Sequence, residues 1–173
     1  MHESSMRHSK EFFDKYVNDP VGGTIVEVGS QDICGGPMSS AAQPQYKYIG
    51  IDLGKWSAVD IVLEDPYVYP FDSDSIDAVV SCSTFEHIEF FWVSFLEMCR
   101  VCKPGGHIFI CAPSNGPYHA MPVDCWRYYK DAAPTLTKWA TRNGYNLELM
   151  ETFIAPSDYP NGWEDWVGTW RKH

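Results

Sequence analysis

The chain has 173 residues, of which 23 are acidic and 13 are basic, so the formal net charge is −10. A chain of this length fits one domain, and a hydrophobic content of 45% supplies enough apolar surface for a packed core. An acidic domain without a run of Lys and Arg repels phosphate backbones, which excludes nucleic acid as the expected partner.

No segment reaches the roughly 18 uninterrupted apolar residues of a membrane span. The start, MHESSMRHSKEFFDKYV, lacks the apolar stretch and the small-residue cleavage site of an export signal. We therefore expect a cytoplasmic protein with no membrane partner, acting as a monomer or homodimer.

Predicted helices and short apolar strands alternate along the chain. A leading helix is predicted at Ser5–Val17, where aromatic residues share one side and charges the other. Several of the strands that follow lack polar alternation, as expected for strands covered on both faces. These strands are Thr24–Val28, Tyr46–Ile51, Val59–Leu63, Ile76–Ser81 and His107–Ala112.

The second half of the chain contains the clearest helix, Glu89–Cys102, whose apolar residues recur at helical spacing. It is predicted to stop at Lys103–Gly106, where a Pro and two Gly residues stand. Another helix is predicted at Asp131–Arg142. The strands Tyr145–Phe153 and Asp165–Arg171 come last, and polar alternation in the first suits an antiparallel edge or hairpin. The order predicts a mostly parallel sheet with right-handed βαβ connections.

The cysteines are six in number, and most lie in apolar runs, where a free thiol behaves as a small hydrophobic group. The close pair Cys99 and Cys102 has the spacing of half a zinc or redox site, but no second pair follows at zinc-ribbon spacing. We expect structural thiols and no metal site.

Two features at the ends of strands indicate a nucleoside ligand. The first strand ends in the small-residue turn Glu27–Ser30, which lets a ligand approach the backbone closely. Asp52 ends the second strand, 23 positions after Gly29, where an acid is expected to bind ribose hydroxyls. Ser30–Asp32 replaces the glycines of a dinucleotide fingerprint, so NAD and FAD are disfavoured and a sulfonium cofactor without phosphates fits better.

With these features the sequence resembles the class I S-adenosylmethionine-dependent methyltransferases, of the type 11-like group, from about Gly22 to Phe153. The matching pieces are Val26–Gly29, Gly50–Asp52, Glu64–Asp65 before Pro70–Phe71, Ser75–Ser81, Phe85–Ile88 and Glu97–Gly106. The resemblance implies an α/β, Rossmann-like, doubly wound sheet of seven mostly parallel strands with an antiparallel last strand and helices on both faces.

The resemblance also implies roles for individual residues toward S-adenosyl-L-methionine, whose product is S-adenosyl-L-homocysteine. Glu27 would orient the turn and meet the amino end of the cofactor, Asp52 would accept the ribose hydroxyls, and Asp65 would accept the adenine amino group. The other expected cofactor-binding residues are Gly29, Ser30, Leu53, Ser81 and Cys82. For each acid, the alternative is a solvated strand end.

One part of the turn departs from the family pattern. Gln31 and Ile33 stand where the family has its second and third glycines, and Cys34-Gly35-Gly36 could restore backbone freedom slightly later. The exact geometry of the turn and the affinity for the cofactor are therefore open.

The stretch Pro113–Tyr129 is irregular for 17 residues, which is typical of a lid or substrate loop. It is similar to an H-x-x-P-x-D-x-W-R-[FY] segment of methyltransferases often encoded beside glycan and natural-product genes. His119 is the first candidate for a general base, with Asp124 orienting it or acting itself, and His87 is the rival. The alternative is that these groups only tie down the loop or start a helix.

Taken together, residues 1–173 are expected to form a single methyltransferase domain, with a leading helix in 1–20 and a substrate or lid loop in 113–129. The expected reaction is methyl transfer to a small molecule, such as a sugar, a glycan precursor or another hydroxyl-bearing acceptor. Two alternatives stay open: a catalytically inactive cofactor- or partner-binding domain of the same fold, and a nicotinamide oxidoreductase.

Overall fold

A computed structural model of the chain describes residues 3–32, 38–157 and 162–173. The first half contains α1 (Glu3–Tyr16), β1 (Thr24–Val28), β2 (Lys47–Asp52), β3 (Ile61–Val62) and β4 (Ile76–Cys82). The second half contains α2 (Phe91–Val101), β5 (Cys102–Pro113), α3 (Ala132–Arg142), β6 (Leu147–Ala155) and β7 (Asp165–Lys172). Short 3-10 turns cover Met38–Ala41 and Phe85–His87.

The strands form one sheet in the order β3-β2-β1-β4-β5-β7-β6. β1 to β5 are parallel, and β7 runs antiparallel to both β5 and β6. The predicted fold class is confirmed, including the antiparallel last strand. The strand order reverses at β1, which lies between β2 and β4, and open α/β sheets bind ligands at the carboxyl ends of strands at such a point.

Apolar residues cover both faces of the sheet, which explains the apolar runs in the strands. Ala78 and Val80 of β4 belong to the cluster that contains Phe13 of α1. Val79, between them, belongs to the opposite cluster, which contains Phe95 of α2. Helices therefore cover both faces, as predicted.

The main difference from the predicted elements is the start of β5. Pairing with β4 begins at Cys102, opposite Ile76, and resumes at His107, opposite Ala78. Lys103–Gly106 therefore forms an irregularity within the strand instead of a separate loop. A helix-breaking sequence ends α2 as predicted, but the chain passes directly into the sheet.

Lys172 of β7 holds the carboxyl-terminal end of α2 through hydrogen bonds. The Lys172 ammonium donates to the carbonyl oxygens of Cys99 at 2.7 Å and Cys102 at 2.8 Å, and to the Asp74 carboxylate. It thereby satisfies carbonyls that the helix end leaves unpaired.

The described cysteines are free. Four of the five are buried and Cys125 is exposed. Burial raises the pKa of the Cys99 thiol, and it raises the pKa of Cys102 to about 12. Thiols that stay protonated in apolar surroundings are poor metal ligands. None of the helices in the described ranges is both long and apolar enough to pass through a bilayer.

Candidate functional site

The turn after β1 packs closely against the segment that follows β4. Gly29 has a φ of +79°, and a Cβ atom at this position would collide with the Thr84 side chain. The Gly29 amide donates to Ile51 O of β2 at 2.9 Å. The Thr84 hydroxyl lies 3.0 Å from Cys82 O and 3.3 Å from Gly29 O. A glycine is therefore required here, because the left-handed conformation and the close contact both exclude a side chain.

Asp52 joins the turns after β1 and β2. Its Oδ2 accepts a hydrogen bond from the Gln31 amide at 3.2 Å, and its Oδ1 accepts from the amides of Leu53 at 2.6 Å and Gly54 at 3.3 Å. A carboxylate offers about four lone-pair positions, so these bonds leave limited acceptor capacity for a ligand.

Glu27 lies near the end of β1, close to these turns, and only 3% of its surface is exposed. The Tyr48 hydroxyl donates to its Oε2 at 2.9 Å. Burial raises the pKa of Glu27 to about 7; the Tyr48 hydrogen bond opposes this, and the negative charges of Asp52 and Asp32 add to it. A buried carboxylate of this kind favours a cationic ligand group.

The other predicted cofactor-binding residues have different environments. The hydroxyl of buried Ser30 has no hydrogen-bond partner within the described ranges, whereas the Ser81 hydroxyl donates to Val28 O at 2.9 Å. Cys82 is buried, and Leu53 is 56% exposed. Asp65 is exposed, and its Oδ1 accepts from the Tyr67 amide at 2.8 Å.

The strand ends of β1, β2 and β4 thus bring together all the predicted cofactor-binding residues except Asp65. Asp65 lies in the loop after β3, two residues beyond Leu63, whose amide donates to Asp52 O at 2.8 Å. The expected contribution of Cys34–Gly36 lies outside the described residues.

The loop over residues 113–129 places a polar cluster of His119, Asp124 and Arg127 beside the segment that follows β4. Asp124 accepts hydrogen bonds from Arg127 Nη1 at 2.6 Å, Arg127 Nη2 at 2.8 Å and the His119 amide at 2.7 Å. Arg127 holds the pKa of Asp124 well below its usual range. Asp124 is therefore a poor base, and it can orient His119, whose Nδ1 lies 3.2 Å from Asp124 Oδ2.

The turn Phe85–His87 supplies the other side of this cluster. His87 Nδ1 lies 2.5 Å from Val123 O, and burial lowers the pKa of His87. Glu86 is 1% exposed, and burial raises its pKa to about 8. The Glu86 carbonyl accepts from the amides of Cys125 and Trp126, which fixes the loop on the turn.

Sequence reasoning named His119, Asp124 and His87, and the structure brings all three together. It missed Glu86 as a member of the cluster and Arg127 as the group that holds Asp124. The spacing of three residues between Asp124 and Arg127 was an available signal. Trp163 was not predicted either; its ring lies 4.9 Å from that of His119 and 5.6 Å from the Arg127 guanidinium.

A separate cavity of about 180 Å³ lies between α1 and the β6–β7 hairpin. Its walls include His8, Phe12, Tyr16 and Glu151, and none of the predicted site residues lines it.

Comparison with known proteins gives a family match over the part of the chain that runs from β2 into β5. A family model described as a methyltransferase domain matches residues 32–110, just under half of the chain. A demethylmenaquinone methyltransferase of Clavibacter sepedonicus is 33% identical over 96 residues, which covers 56% of this chain and 39% of that protein. One of Protochlamydia amoebophila (strain UWE25) is 29% identical over 101 residues, covering 56% of this chain and 42% of that protein. The match thus spans about two fifths of these relatives.

Solved structures share the whole fold at low sequence identity. The Burkholderia thailandensis 1,6-didemethyltoxoflavin-N1-methyltransferase with S-adenosylhomocysteine has a TM-score of 0.70 at 14% identity, covering 98% of this chain and 79% of that one. A geranyl diphosphate methyltransferase in complex with SAM has a TM-score of 0.69 at 13% identity, covering 97% and 85%. The [4+2]-cyclase SpnF has a TM-score of 0.67 at 15% identity, covering 96% and 81%.

The family match and the shared fold both bear on the resemblance that the sequence motifs indicate. The resemblance to class I S-adenosylmethionine-dependent methyltransferases is confirmed: the chain has their fold, and its residues 32–110 match the methyltransferase-domain family.

Proposed function

We propose that this protein is an S-adenosylmethionine-dependent methyltransferase that acts on a small, hydroxyl-bearing molecule, with a sugar or glycan precursor as the preferred acceptor class. The observation that carries the proposal is the turn after β1. Gly29 lies against Thr84 while Asp52 holds the neighbouring amides, so backbone and carboxylates converge at the switch point of the sheet.

The carboxylates at this point match the donors of the proposed cofactor. Glu27 would meet the cationic amino group, and its ionisation on binding would form an ion pair in place of an unpaired buried charge. Asp52 would accept a ribose hydroxyl at its remaining lone pair, and Asp65 would accept the adenine amino group. Exposed Leu53 and Trp56 offer apolar surface beside Asp52, where a purine ring could stack.

The cluster around His119 supplies the acceptor side of the reaction. In the proposed step the acceptor oxygen attacks the methyl carbon, the carbon–sulfur bond breaks with its electrons going to sulfur, and the hydroxyl proton passes to His119 Nε2. Two acceptors, Asp124 Oδ2 at 3.2 Å and Pro117 O at 3.3 Å, and one donor, Arg127 Nη2 at 3.4 Å, face Nδ1 of the ring. The two acceptors are closer than the donor and favour the tautomer with its proton on Nδ1, which leaves Nε2 free to accept.

The side chains of the loop over residues 113–129, and not the names of the relatives, support this class of acceptor. The names of the neighbours include 1,6-didemethyltoxoflavin, geranyl diphosphate and phosphomonomethylethanolamine as bound or modified molecules, so this fold does not restrict the acceptor. The loop contributes His119 and Arg127 beside the Trp163 ring, with Tyr118 76% exposed. Polar groups beside an aromatic face suit a polyhydroxylated ring.

Calorimetry with S-adenosylhomocysteine tests the cofactor assignment. The wild-type protein should bind one equivalent, and Asp52→Ala should abolish binding. Asp52→Asn keeps one acceptor oxygen for the backbone amides and should weaken binding less. Glu148→Ala, an exposed acid on β6, is the matched control and should leave binding unchanged. Absence of binding by the folded wild-type protein would refute the proposal.

A second candidate is a domain of this fold that binds the cofactor without transferring a methyl group. Two observations favour it: the Gln31 amide already uses an acceptor position of Asp52, and SpnF shares the fold but is named as a cyclase. Methyl transfer to any member of a panel of sugars and phenols would eliminate this alternative.

A further inference from the structure

Three side chains with metal-ligand atoms surround one point beside the segment after β4. They are Glu86, His87 and His119, and one ligand atom of each lies within 4.8 Å of the others. Glu86 Oε1 lies 3.7 Å from His87 Nε2 and 3.9 Å from His119 Nε2. These separations are too long for hydrogen bonds. Ligands of one zinc ion, each at about 2.0–2.2 Å from it, lie roughly 3–3.5 Å apart, so small side-chain rotations would complete a site.

Both imidazoles are oriented by groups behind them. His87 Nδ1 donates to Val123 O at 2.5 Å, since a carbonyl can only accept, and this leaves Nε2 with its lone pair toward Glu86. His119 Nδ1 faces Asp124 Oδ2 at 3.2 Å and, at the longer distance of 3.4 Å, Arg127 Nη2. The two guanidinium nitrogens of Arg127 in turn hold Asp124. A carboxylate or carbonyl behind each histidine is the arrangement that metal-binding histidines use to fix tautomer and direction.

The third ligand candidate is a buried group that lacks a partner. Glu86 is 1% exposed, and its Oε2 has no hydrogen-bond partner among residues 3–32, 38–157 and 162–173. A buried polar atom without a partner costs free energy. Oε1 of the same carboxylate faces the two histidines, so a cation bound by both oxygens would also satisfy Oε2.

We propose that Glu86, His87 and His119 bind one divalent transition-metal ion, with zinc as the best match. Two neutral imidazoles and one carboxylate are a donor set that zinc accepts, whereas magnesium and calcium prefer oxygen ligands throughout. The three protein ligands leave a coordination position open. No short ligand spacing indicates this site, because His119 follows His87 by 32 residues.

The three candidate ligands lie near the turn after β1, because Glu86 follows Thr84 by two residues and Thr84 contacts Gly29. Metal binding itself does not depend on the proposed function, whereas its use in catalysis rests on it. With an ion on Nε2, His119 would not accept the proton, and the ion would lower the pKa of a coordinated acceptor hydroxyl instead.

The binding test uses the 173-residue protein, stripped with a chelator and titrated with Zn²⁺ in competition with a chromophoric chelator. We expect one equivalent of zinc in the wild-type protein. His119→Ala and Glu86→Gln should weaken its binding at least about 100-fold, and Asp124→Asn about 10- to 100-fold. His173→Ala, at an exposed histidine beside Glu148, is the control and should bind as the wild type does.

Two further measurements separate the outcomes. Thermal unfolding with and without zinc should show a rise in Tm for the wild type and none for His119→Ala. The His119 side chain is 35% exposed, so its removal should leave the fold intact. His119→Ala should keep its affinity for S-adenosylhomocysteine within about twofold, so loss of the metal site and loss of the cofactor site are distinguishable. Zinc binding that is absent in the wild type, unchanged in His119→Ala and Glu86→Gln, or lost in His173→Ala would overturn the proposal.

Discussion

Binding of S-adenosylhomocysteine is expected to depend on pH through Glu27. Burial raises the pKa of this carboxyl to about 7 in the free protein, and a bound amino group requires its ionised form. The ionised fraction is about one tenth at pH 6 and about nine tenths at pH 8. The association constant should therefore rise roughly tenfold between these values, and by roughly another tenfold between pH 5 and pH 6.

The same group links pH to the stability of the free protein. The ordinary pKa of 4.5 applies to the unfolded chain, and about 7 applies to the folded one, so the folded state holds the proton more tightly. This contribution to stability is fully present below about pH 4.5 and is lost as the pH rises through about 7. The difference between the two pKa values corresponds to about 3 kcal/mol of folding free energy, since one pKa unit is worth about 1.4 kcal/mol.

Calorimetry from pH 5 to 8.5, in buffers of different ionisation enthalpy, measures both affinity and proton release. About 0.9 proton should be released per ligand at pH 6 and about 0.1 at pH 8. Glu27→Gln should bind weakly and without this pH dependence. Tyr48→Phe removes a hydrogen bond that lowers the Glu27 pKa and should move the midpoint to higher pH. A flat profile in the wild type, or the same slope in Glu27→Gln, would refute the reasoning.

Other substitutions separate the parts of the site. Gly29→Ala adds left-handed strain of about 1–2 kcal/mol and a collision with the Thr84 side chain, so Tm should fall by roughly 2–8 °C from the strain alone. Gly105 has a similar positive φ in open space, so Gly105→Ala should lower Tm less. Arg127→Lys loses the two-pronged grip on Asp124 and should slow methyl transfer roughly 10- to 100-fold while leaving S-adenosylhomocysteine affinity within twofold. Lys172→Met removes charged hydrogen bonds at the end of α2 and should lower the free energy of unfolding in urea by about 2–3 kcal/mol, with cofactor binding intact.

Most of the fold could be predicted because each strand carries its own pattern. β1 has the predicted bounds, Thr24–Val28, since a short run of apolar residues covered on both faces gives an unambiguous signal. The start of β5 could not be predicted, because Pro and Gly residues directly after a helix indicate a loop when only the neighbouring residues are considered. The sheet overrides that signal by pairing Cys102 with Ile76 across an irregularity.

Part of the candidate site could also be predicted from the sequence, and part could not. The position of Asp52 follows from the strand pattern, since the ends of parallel strands meet at one edge. Its use of three backbone amides does not, because hydrogen bonds within a turn depend on backbone geometry that side-chain patterns do not encode. Glu86 was missed for a related reason: burial of a carboxyl depends on the distant loop that closes over it.

The cofactor turn and the cluster around His119 share one support, which makes a coupled variant informative. Thr84 contacts Gly29 and directly precedes the turn that holds Glu86 and His87. Thr84→Val keeps the shape of the side chain but removes the hydroxyl that reaches Cys82 O and Gly29 O. Loss of about 1 kcal/mol of hydrogen bonding should loosen both neighbours and weaken S-adenosylhomocysteine and zinc binding by a few fold each. Asp52→Ala should affect only the first ligand and His119→Ala only the second. If Thr84→Val changed neither affinity, the two sites would be positioned independently, and the proposed shared support would be wrong.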